Sequence, residues 1–498
     1  MALGFRATKT LNAYLTRHSL GWLALGVGLA VLLAIAPLRW GMLIVVGGLV
    51  IVTALLEPLA AFSLALLLGP ARALLAAVWP GTPLYPGQVL FGLFVLVWFL
   101  RALYLRRMSL VLPAFAVPFL VYVGVCALSL WGAADLVSGI GELIKWLQML
   151  VIALLVVDCC RRRHVGWVLA AALASGVLQA AIGLWEFGLR GSGPGTFELA
   201  PGIYRAYGTF EQPNPFGGFM GMTWPLAAGL SLGLFSTARR RDRTETSRTV
   251  LIVLVLLAAA LTLGGLVVSY SRGAWVGALA AALVMGVVWP RRRGLGIAIV
   301  VVGLLAVFGV ARIGALPLGV AERLAAVAEF GRVQDVSGAT VDPANFSLIE
   351  RMAHWQAASR MAAARPWLGV GLGNFQVAYP DYRLLNWEQA LGHAHNVYLN
   401  VVAESGLLGL GSYLLLWGSV FVITLRAIGC NVGWRRGVAL GLLGVWTHLA
   451  VHNMVDYLFV NNVHLYLGAL LGVLAVMAER TGTQSSSYSD LNSSQATG

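Results

Sequence analysis

The chain has 498 residues, of which 59% are hydrophobic and only 11% are charged, and its mean hydropathy is +0.82. Soluble domains carry about 25% charged residues, so this composition excludes a water-soluble globular protein and indicates an integral membrane protein. The formal net charge is +14, and Lys9 and Lys145 are the only lysines. Neither lies in a Walker A motif, which argues against a nucleotide-driven pump. The basic residues form short clusters between apolar runs, a pattern that does not fit a nucleic-acid-binding surface.

Apolar runs that are free of charge and long enough to cross the hydrocarbon core follow one another along the chain. They are 19–38, 40–56, 73–100, 108–134, 164–185, 212–238, 249–271, 273–290, 294–311, 405–425, 437–455 and 457–478. Two further runs are less clear, because 58–71 is short for a span and 136–157 contains Glu142 and Lys145 one helical turn apart. We expect an all-α polytopic bundle of about 12 to 14 transmembrane helices.

Clusters of Arg and Lys between the spans predict the orientation, since short loops rich in these residues stay in the cytoplasm. The clusters lie near 6–17, 101–107, 161–163, 239–248, 291–293 and 426–436. All of them agree with cytoplasmic N and C termini. The loops predicted on the opposite side lie near 70–86, 132–140, 188–211, 269–273 and 312–396. No cleavage site follows the first apolar run, which predicts an uncleaved first helix.

The predicted spans divide the chain into four parts. These are N-terminal transmembrane helices in 1–311, a large outer segment in 312–396, C-terminal transmembrane helices in 397–480, and a disordered cytoplasmic tail in 481–498. The outer segment is too long for a linker, and long loops commonly carry function.

Two patterns stand out within the outer segment. Apolar residues recur at three to four residue spacing over 346–361, which predicts an amphipathic helix that lies on the membrane surface or covers a cavity. The glycine run at 369–373 follows no recognisable strand, so a turn explains it better than a phosphate-binding loop does.

Two arginines on the outer side are candidates for binding an anion. Arg205 precedes a Pro- and Asn-rich entry into a helix, whose N-terminus favours negative charge. The alternative is an arginine that is solvated or bound to lipid head groups. Arg272 lies in a tight hairpin between two predicted helices, where the alternative is an interfacial anchor.

A pair of histidines, His393 and His395, lies where the outer segment re-enters the bilayer. Imidazole takes and returns a proton near neutral pH, so a histidine that faces a polar cavity is a candidate general base. Zinc binding is one alternative, but no third ligand is evident and no H-E-x-x-H motif occurs. A structural pair of hydrogen-bonded histidines is the other.

Four polar residues share one face of the predicted helix that follows. They are His448, His452, Asn453 and Asp456, with Asp456 at the outer end. Polar residues within a membrane are costly and are therefore functional candidates, but hydrogen bonding between helices explains them equally well.

Taken together, these stretches resemble the O-antigen ligase and polymerase superfamily of bacterial envelope glycosyltransferases. The residues that carry the resemblance are Tyr204-Arg205, 208–210, Pro213-Asn214, the hairpin 271–275, Arg351, Trp355, 365–375, His393, His395, Asn396, Tyr398, Leu399 and 404–406. The resemblance covers roughly residues 200–460 and extends to the first 200 only as a helix count. Within the superfamily it is closest to the O-antigen ligases.

This resemblance implies a GT-C-like glycosyltransferase of the bacterial inner membrane, with its active site on the periplasmic face and 312–396 as its large periplasmic loop. The implied donor is O-antigen glycan on undecaprenyl diphosphate, and the implied acceptor is a sugar hydroxyl of lipid A-core. The assigned residues are Arg205 and Arg272 for the diphosphate, His395 for the general base with His393 as the fallback, and Asn396, Glu404 and Tyr398 for support. We expect Asn396 or Glu404 to orient the imidazole.

The implied reaction is a direct displacement with inversion, without a covalent intermediate or a cofactor. We expect no metal ion, since two guanidinium groups can stabilise the leaving diphosphate. Expected partners are the donor, the acceptor and membrane lipids, and no nucleic acid. The alternatives with the same fold are an O-antigen polymerase, whose acceptor is a growing glycan, and a protein O-oligosaccharyltransferase. A lipid or glycan transporter is less well supported, because the chain shows no convincing internal repeat.

Overall fold

The structure is a computed structural model that describes residues 38–81, 85–106, 110–160, 164–236, 245–312, 335–338 and 346–479. Within these ranges the chain is almost entirely helical, which confirms the predicted all-α class. The exception is an antiparallel ribbon of two short strands, β1 Glu198–Ala200 and β2 Ile203–Tyr204. Most of the predicted first span at 19–38 and the whole predicted tail at 481–498 lie outside the described residues.

Seven α-helices precede the ribbon in the part of the chain that the structure describes. They are α1 Leu38–Leu56, α2 Pro58–Leu68, α3 Arg72–Val78, α4 Pro86–Tyr104, α5 Ala116–Ser129, α6 Leu136–Cys160 and α7 Val165–Gly188. The predicted run 73–100 is divided, because α3 ends before Pro80 and Pro86 begins α4. A 3-10 turn at Gly69–Ala71 joins α2 to α3, so the run 58–71 that looked too short is part of a longer helical stretch.

Nine described helices follow the ribbon. They are α8 Pro213–Ser236, α9 Glu245–Val268, α10 Arg272–Val288, α11 Arg293–Arg312, α12 Phe346–Ala364, α13 Phe375–Tyr382, α14 Val397–Cys430, α15 Gly433–His452 and α16 Val463–Ala478. The helix α12 confirms the prediction over 346–361, since it buries Ile349, Met352 and Trp355. It packs against α13 and the first turns of α14.

Seven helical stretches among the described residues are long and apolar enough to cross a membrane. They are 58–78, α4, α6, α7, α8, 246–268 of α9, and α14. Shorter apolar helices, among them α5, α10 and α16, accompany them. Within α6, Lys145 donates a hydrogen bond to Glu142, so the two charges of this span neutralise each other. The protein is therefore a polytopic membrane protein, and the total of 12 to 14 spans stays a prediction.

The helices α8 and α15 approach each other more closely than side chains would allow. A Cβ atom on Gly229 would lie 2.5 Å from the carbonyl oxygen of Gly437, and a Cβ atom on Gly437 would lie 2.3 Å from the carbonyl oxygen of Gly229. Gly233 and Gly441 make contacts of the same kind. Small residues at such a crossing are a usual means of helix association in membranes. We call this contact the glycine seam.

Replacing Gly437 by Ala is expected to lower the thermal stability of the protein, because the added methyl group overlaps the backbone of α8. Overpacking of this kind costs about 1–3 kcal/mol. The measurement is the midpoint of thermal denaturation in detergent. Gly411→Ala in α14 is the matched control, since a Cβ atom there meets no heavy atom within 4 Å. Equal midpoints for the two variants would contradict the seam.

Candidate active site

The glycine run at 369–373 attaches the outer segment to α14. Its three glycines all have positive φ angles, between 65° and 107°, which glycine adopts without strain. The backbone N–H of Gly371 donates to the carbonyl oxygen of Glu404 at 2.9 Å. The run is therefore a turn that docks on α14, as the sequence favoured.

The helix α14 is broken at Gly406, whose φ of 68° and ψ of −167° are not helical. A Cβ atom on Gly406 would lie 2.2 Å from the carbonyl oxygen of Trp367, so only glycine lets the outer segment pack into the break. The backbone N–H of Leu407, directly after the break, donates to the carbonyl oxygen of Pro366 at 2.7 Å. The residues 397–405 thus form a short helix that the outer segment clamps in place.

The contact between His395 and Asp456 is the centre of the candidate site. The Nδ1 atom of His395 lies 3.3 Å from Oδ1 of Asp456, and this carboxylate oxygen also accepts the N–H of Tyr457 at 2.8 Å. Burial raises the pKa of Asp456, but the hydrogen bond from His395 and nearby positive charge outweigh burial and leave the pKa well below its usual range. An ionised Asp456 keeps the proton of His395 on Nδ1, which leaves Nε2 to accept one.

The backbone at His395 is also unusual. Its φ angle is 51°, in the left-handed region that residues other than glycine rarely adopt. Such conformations persist only where the surrounding structure enforces them, and they concentrate at functional sites.

His393 lies beside His395 in a different environment. The two ring centroids are 4.4 Å apart, and the ring of His393 stacks on Tyr457 at 4.8 Å. Its Nδ1 atom accepts the backbone N–H of His395 at 3.3 Å. Burial, together with the neighbouring His395, lowers the pKa of His393 to about 3. At neutral pH His393 is therefore uncharged and a weak proton acceptor.

The helix α12 brings a third histidine, His354, which sequence reasoning missed. Its ring is stacked on Tyr379 at 4.8 Å and lies edge-on to His395 at 6.3 Å. Its Nδ1 atom is 2.8 Å from the carbonyl oxygen of Glu350, and burial lowers its pKa. Its position in the sequence could have predicted its burial, because His354 falls on the apolar face of the amphipathic helix predicted at 346–361.

Arg351 adds positive charge on the same face of α12. Its charge contributes to the low pKa values of Asp456 and His393. One of its terminal nitrogens donates to the carbonyl oxygen of Ser347 at 3.1 Å. Its Nε atom is buried and has no hydrogen-bond partner among the described residues.

The two arginines assigned to the diphosphate lie on adjoining loops. The Nε atom of Arg205, directly after β2, donates to the carbonyl oxygen of Ser269 at 3.0 Å. A terminal nitrogen of Arg205 donates to Oδ1 of Asn214 at 3.1 Å and to the carbonyl oxygen of Tyr270 at 3.4 Å. Arg272 is the first residue of α10. Arg205 therefore braces the hairpin that carries Arg272.

This hairpin reaches the histidines through Gly273. A Cβ atom on Gly273 would lie 2.7 Å from Cδ2 of His452, so the backbone and this ring are in direct contact. The Nε2 atom of His452 is 3.9 Å from Oδ2 of Asp456. The order in space is therefore Arg272, His452, Asp456 and His395. The structure brings together stretches that the sequence singled out separately.

Two of the predicted supporting residues fix the start of α14. The Oδ1 atom of Asn396 accepts the N–H of Leu399 at 3.0 Å as a helix N-cap, and its Nδ2 atom donates to the carbonyl oxygen of Met454 at 2.8 Å. The hydroxyl of Tyr398 donates to the carbonyl oxygen of Ala450 at 2.9 Å. Both side chains tie the His395 end of α14 to α15 and to the loop after it.

The third supporting residue, Glu404, lies on the other side of this short helix. Its Oε1 atom accepts the N–H of Phe375 at 3.1 Å, which holds the glycine turn against α14. Sequence reasoning expected Asn396 or Glu404 to orient the imidazole of His395. The structure places Asp456 there instead.

His395, the candidate proton acceptor, lies directly before the N-terminus of α14, which favours negative charge. Arg272 begins α10, and Arg205 is bonded to the loop just before it. Among the described residues, no group of three or more His, Cys, Asp or Glu side chains is placed to hold a metal ion.

Residues 257–414 match the family model described as O-antigen ligase. This match covers about a third of the chain and supports a member of the O-antigen ligase and polymerase superfamily. Members of this family are glycosyltransferase-like enzymes. The matched segment contains Arg272, His393 and His395, whereas Arg205 and Asp456 lie outside it. No curated protein matches the chain.

Acidification from about pH 7.5 to about pH 5 is expected to destabilise the protein, in part through His393. The pKa of His393 is about 3 in the folded protein, below the roughly 6.5 of an unfolded chain. Between these values the unfolded chain binds more protons, so stability rises with pH in this window and falls as pH drops through it. Because His393 is partly accessible to water, we expect its share to be about 1 kcal/mol.

The measurement is the thermal midpoint in detergent at both pH values. His393→Gln should lose the His393 share of the pH dependence and keep the rest of the wild-type dependence. An unaltered pH dependence in His393→Gln would rule out the assigned environment.

Proposed function

We propose that the protein is an O-antigen ligase, which transfers glycan from undecaprenyl diphosphate to a sugar hydroxyl of lipid A-core in lipopolysaccharide biosynthesis. The observation that carries the proposal is the contact between His395 and Asp456 beside the hairpin of Arg272. Superfamily membership supplies the reaction class, and this contact supplies a base next to a site for an anion. The enzyme would lie in the bacterial inner membrane with cytoplasmic termini, and its active site would face the periplasm.

In the proposed reaction, His395 is the general base. Asp456 holds the Nδ1–H of the imidazole, and Nε2 takes the proton of the acceptor hydroxyl while its oxygen attacks the anomeric carbon. The carboxylate then stabilises the imidazolium that forms. His393 is less suited to this role, because its low pKa makes it a weak base and its Nδ1 atom already accepts a hydrogen bond.

The leaving group in this reaction is undecaprenyl diphosphate. As the bond between the anomeric carbon and the phosphate oxygen breaks, negative charge develops on that oxygen. Guanidinium groups such as those of Arg205 and Arg272 match phosphate oxygens, and α10 begins at Arg272, so the positive end of its dipole lies at the same hairpin. A single displacement of this kind inverts the anomeric configuration and forms no covalent intermediate.

Purified wild-type protein is expected to join carrier-linked glycan to lipid A-core in vitro. His395→Ala should fold normally and lose transfer by about 10²- to 10⁴-fold, because the base is removed.

Asp456→Asn, which conserves size, should lower kcat by about a hundredfold with little change in KM. His393→Gln should retain more activity than His395→Ala, and Arg272→Ala should fold but fail in transfer. Wild-type transfer rates in His395→Ala or Arg272→Ala would refute the site assignment.

The products in a deletion strain distinguish the alternatives within the superfamily. Long carrier-linked polymer that stays unattached would support ligation, whereas single repeat units would indicate a polymerase. Glycosylated pilin or periplasmic protein as the product of the wild-type enzyme would indicate a protein O-oligosaccharyltransferase.

The cations in the site make metal assistance unnecessary in the proposed reaction, because guanidinium groups and helix N-termini can neutralise the leaving diphosphate. Transfer by the purified enzyme is therefore expected to persist after exhaustive chelation. Activity that disappears on chelation and returns with Mg²⁺ would show that the arginines are not sufficient.

A further inference from the structure

A large cavity is lined by His393 and by none of the residues of the arginine hairpin, 269–273. Its volume is about 1170 Å³, and its walls come from α3, α4, α6, the start of α13 and the loop between α15 and α16. His393 and Tyr457 line it, but Arg205, Arg272 and His452 do not. Much of the wall precedes residue 257, where the family match begins.

The polar lining of this cavity suits hydroxyl groups. Gln88, Gln148 and Gln376 present side-chain amides, each of which has donors and an acceptor. The Lys145–Glu142 pair offers both functions as well, and both side chains are partly exposed. Arg72 and Glu404 also line the cavity. Amide side chains, charged groups of both signs and aromatic walls together are a surface for a sugar chain rather than for a lipid tail.

The wall between α15 and α16 is strained. Asn461 and Asn462 have consecutive left-handed φ angles of 49° and 61°. The Nδ2 atom of Asn462 donates to the carbonyl oxygen of Gly69 at 3.4 Å, while its Oδ1 atom is buried without a hydrogen-bond partner among the described residues. Backbone strain and an unsatisfied acceptor in one wall are features of functional sites.

We propose that this cavity binds the sugar chain of the acceptor, an inference that rests on the function proposed above. Inverting displacement requires the attacking oxygen and the leaving diphosphate on opposite sides of the anomeric carbon. With the diphosphate at Arg205 and Arg272, the acceptor hydroxyl approaches His395 from the other flank, where His393 opens into the cavity. The volume exceeds the roughly 300–1,000 Å³ of small-molecule sites, which fits an oligosaccharide.

Two glycines allow the cavity to be filled without disturbing its walls. Gly141 on α6 and Gly92 on α4 line the cavity, and a Cβ atom on either meets no heavy atom within 4 Å. Gly141→Trp and Gly92→Trp would each place an indole in the cavity. Gly124→Trp on α5 is the matched control, since Gly124 is equally open but does not line the cavity.

Two measurements separate binding from transfer. The first is the affinity of the full-length protein in nanodiscs for soluble core oligosaccharide, released from lipid A by mild acid hydrolysis. The second is the KM for each substrate in the transfer assay. Gly141→Trp and Gly92→Trp are expected to weaken oligosaccharide binding and raise the acceptor KM about tenfold or more, with the donor KM unchanged. Gly124→Trp should match the wild type in both.

The outcomes distinguish this proposal from the ligase function. If the wild-type protein is an active ligase and both cavity variants keep its acceptor KM and its oligosaccharide affinity, the cavity assignment is wrong while the ligase function stands. A raised donor KM with an unchanged acceptor KM would also overturn it, because the cavity would then hold the carrier-linked glycan. If the wild-type protein binds the oligosaccharide but transfers no glycan, and the cavity variants lose that binding, the cavity assignment is supported and the ligase function is refuted.

Discussion

The buried carboxylate of Asp456 is the constraint around which the site is arranged. An isolated charge buried at this depth is strongly destabilising, so donors from several elements must converge on it. They are the imidazole of His395 at the end of the outer segment and the N–H of Tyr457. The Nε2 atom of His452 on α15 lies 3.9 Å from the other carboxylate oxygen. A carboxylate with these partners does two things at once. It attaches the outer segment to the membrane helices, and in the proposed reaction it holds the Nδ1–H of His395.

The membrane helices could be predicted because hydropathy and the positions of Arg and Lys are local properties of the sequence. The errors occurred where local composition is uninformative. The apolar run 73–100 contains prolines that divide it between two helices. The charge-free run starts only at 405, because Glu404 interrupts it, whereas α14 begins at Val397, where the predicted C-terminal part begins. The side chains of Asn400 and Glu404 are buried and accept the backbone N–H groups of Ala394 and Phe375, contacts that composition does not report.

For the site, sequence motifs predicted the residue types but not their partners. Arg205, Arg272, His393 and His395 could be named from short motifs, whereas the partner of His395 lies 61 residues away, beyond an entire helical hairpin. Asn396 was the nearer candidate, yet its side chain is used by the helix that it caps. His354 was not predicted as a site residue, because a histidine among apolar neighbours on one helix face has the sequence pattern of an ordinary core residue. Short sequence motifs therefore indicate which residues belong to such a site, but they do not indicate which residues contact one another.

The break at Gly406 divides α14 into two parts with different surroundings. The residues after the break lie among apolar surroundings, where a change in bilayer thickness is absorbed by tilting the helix. The residues 397–405 are held instead by the outer segment and by the loop after α15. The outer segment bonds to both parts, through Ala403 and Glu404 before the break and through Leu407 and Leu408 after it. Movement of the part after the break would therefore reach the residues around His395 through the outer segment as well as along the helix.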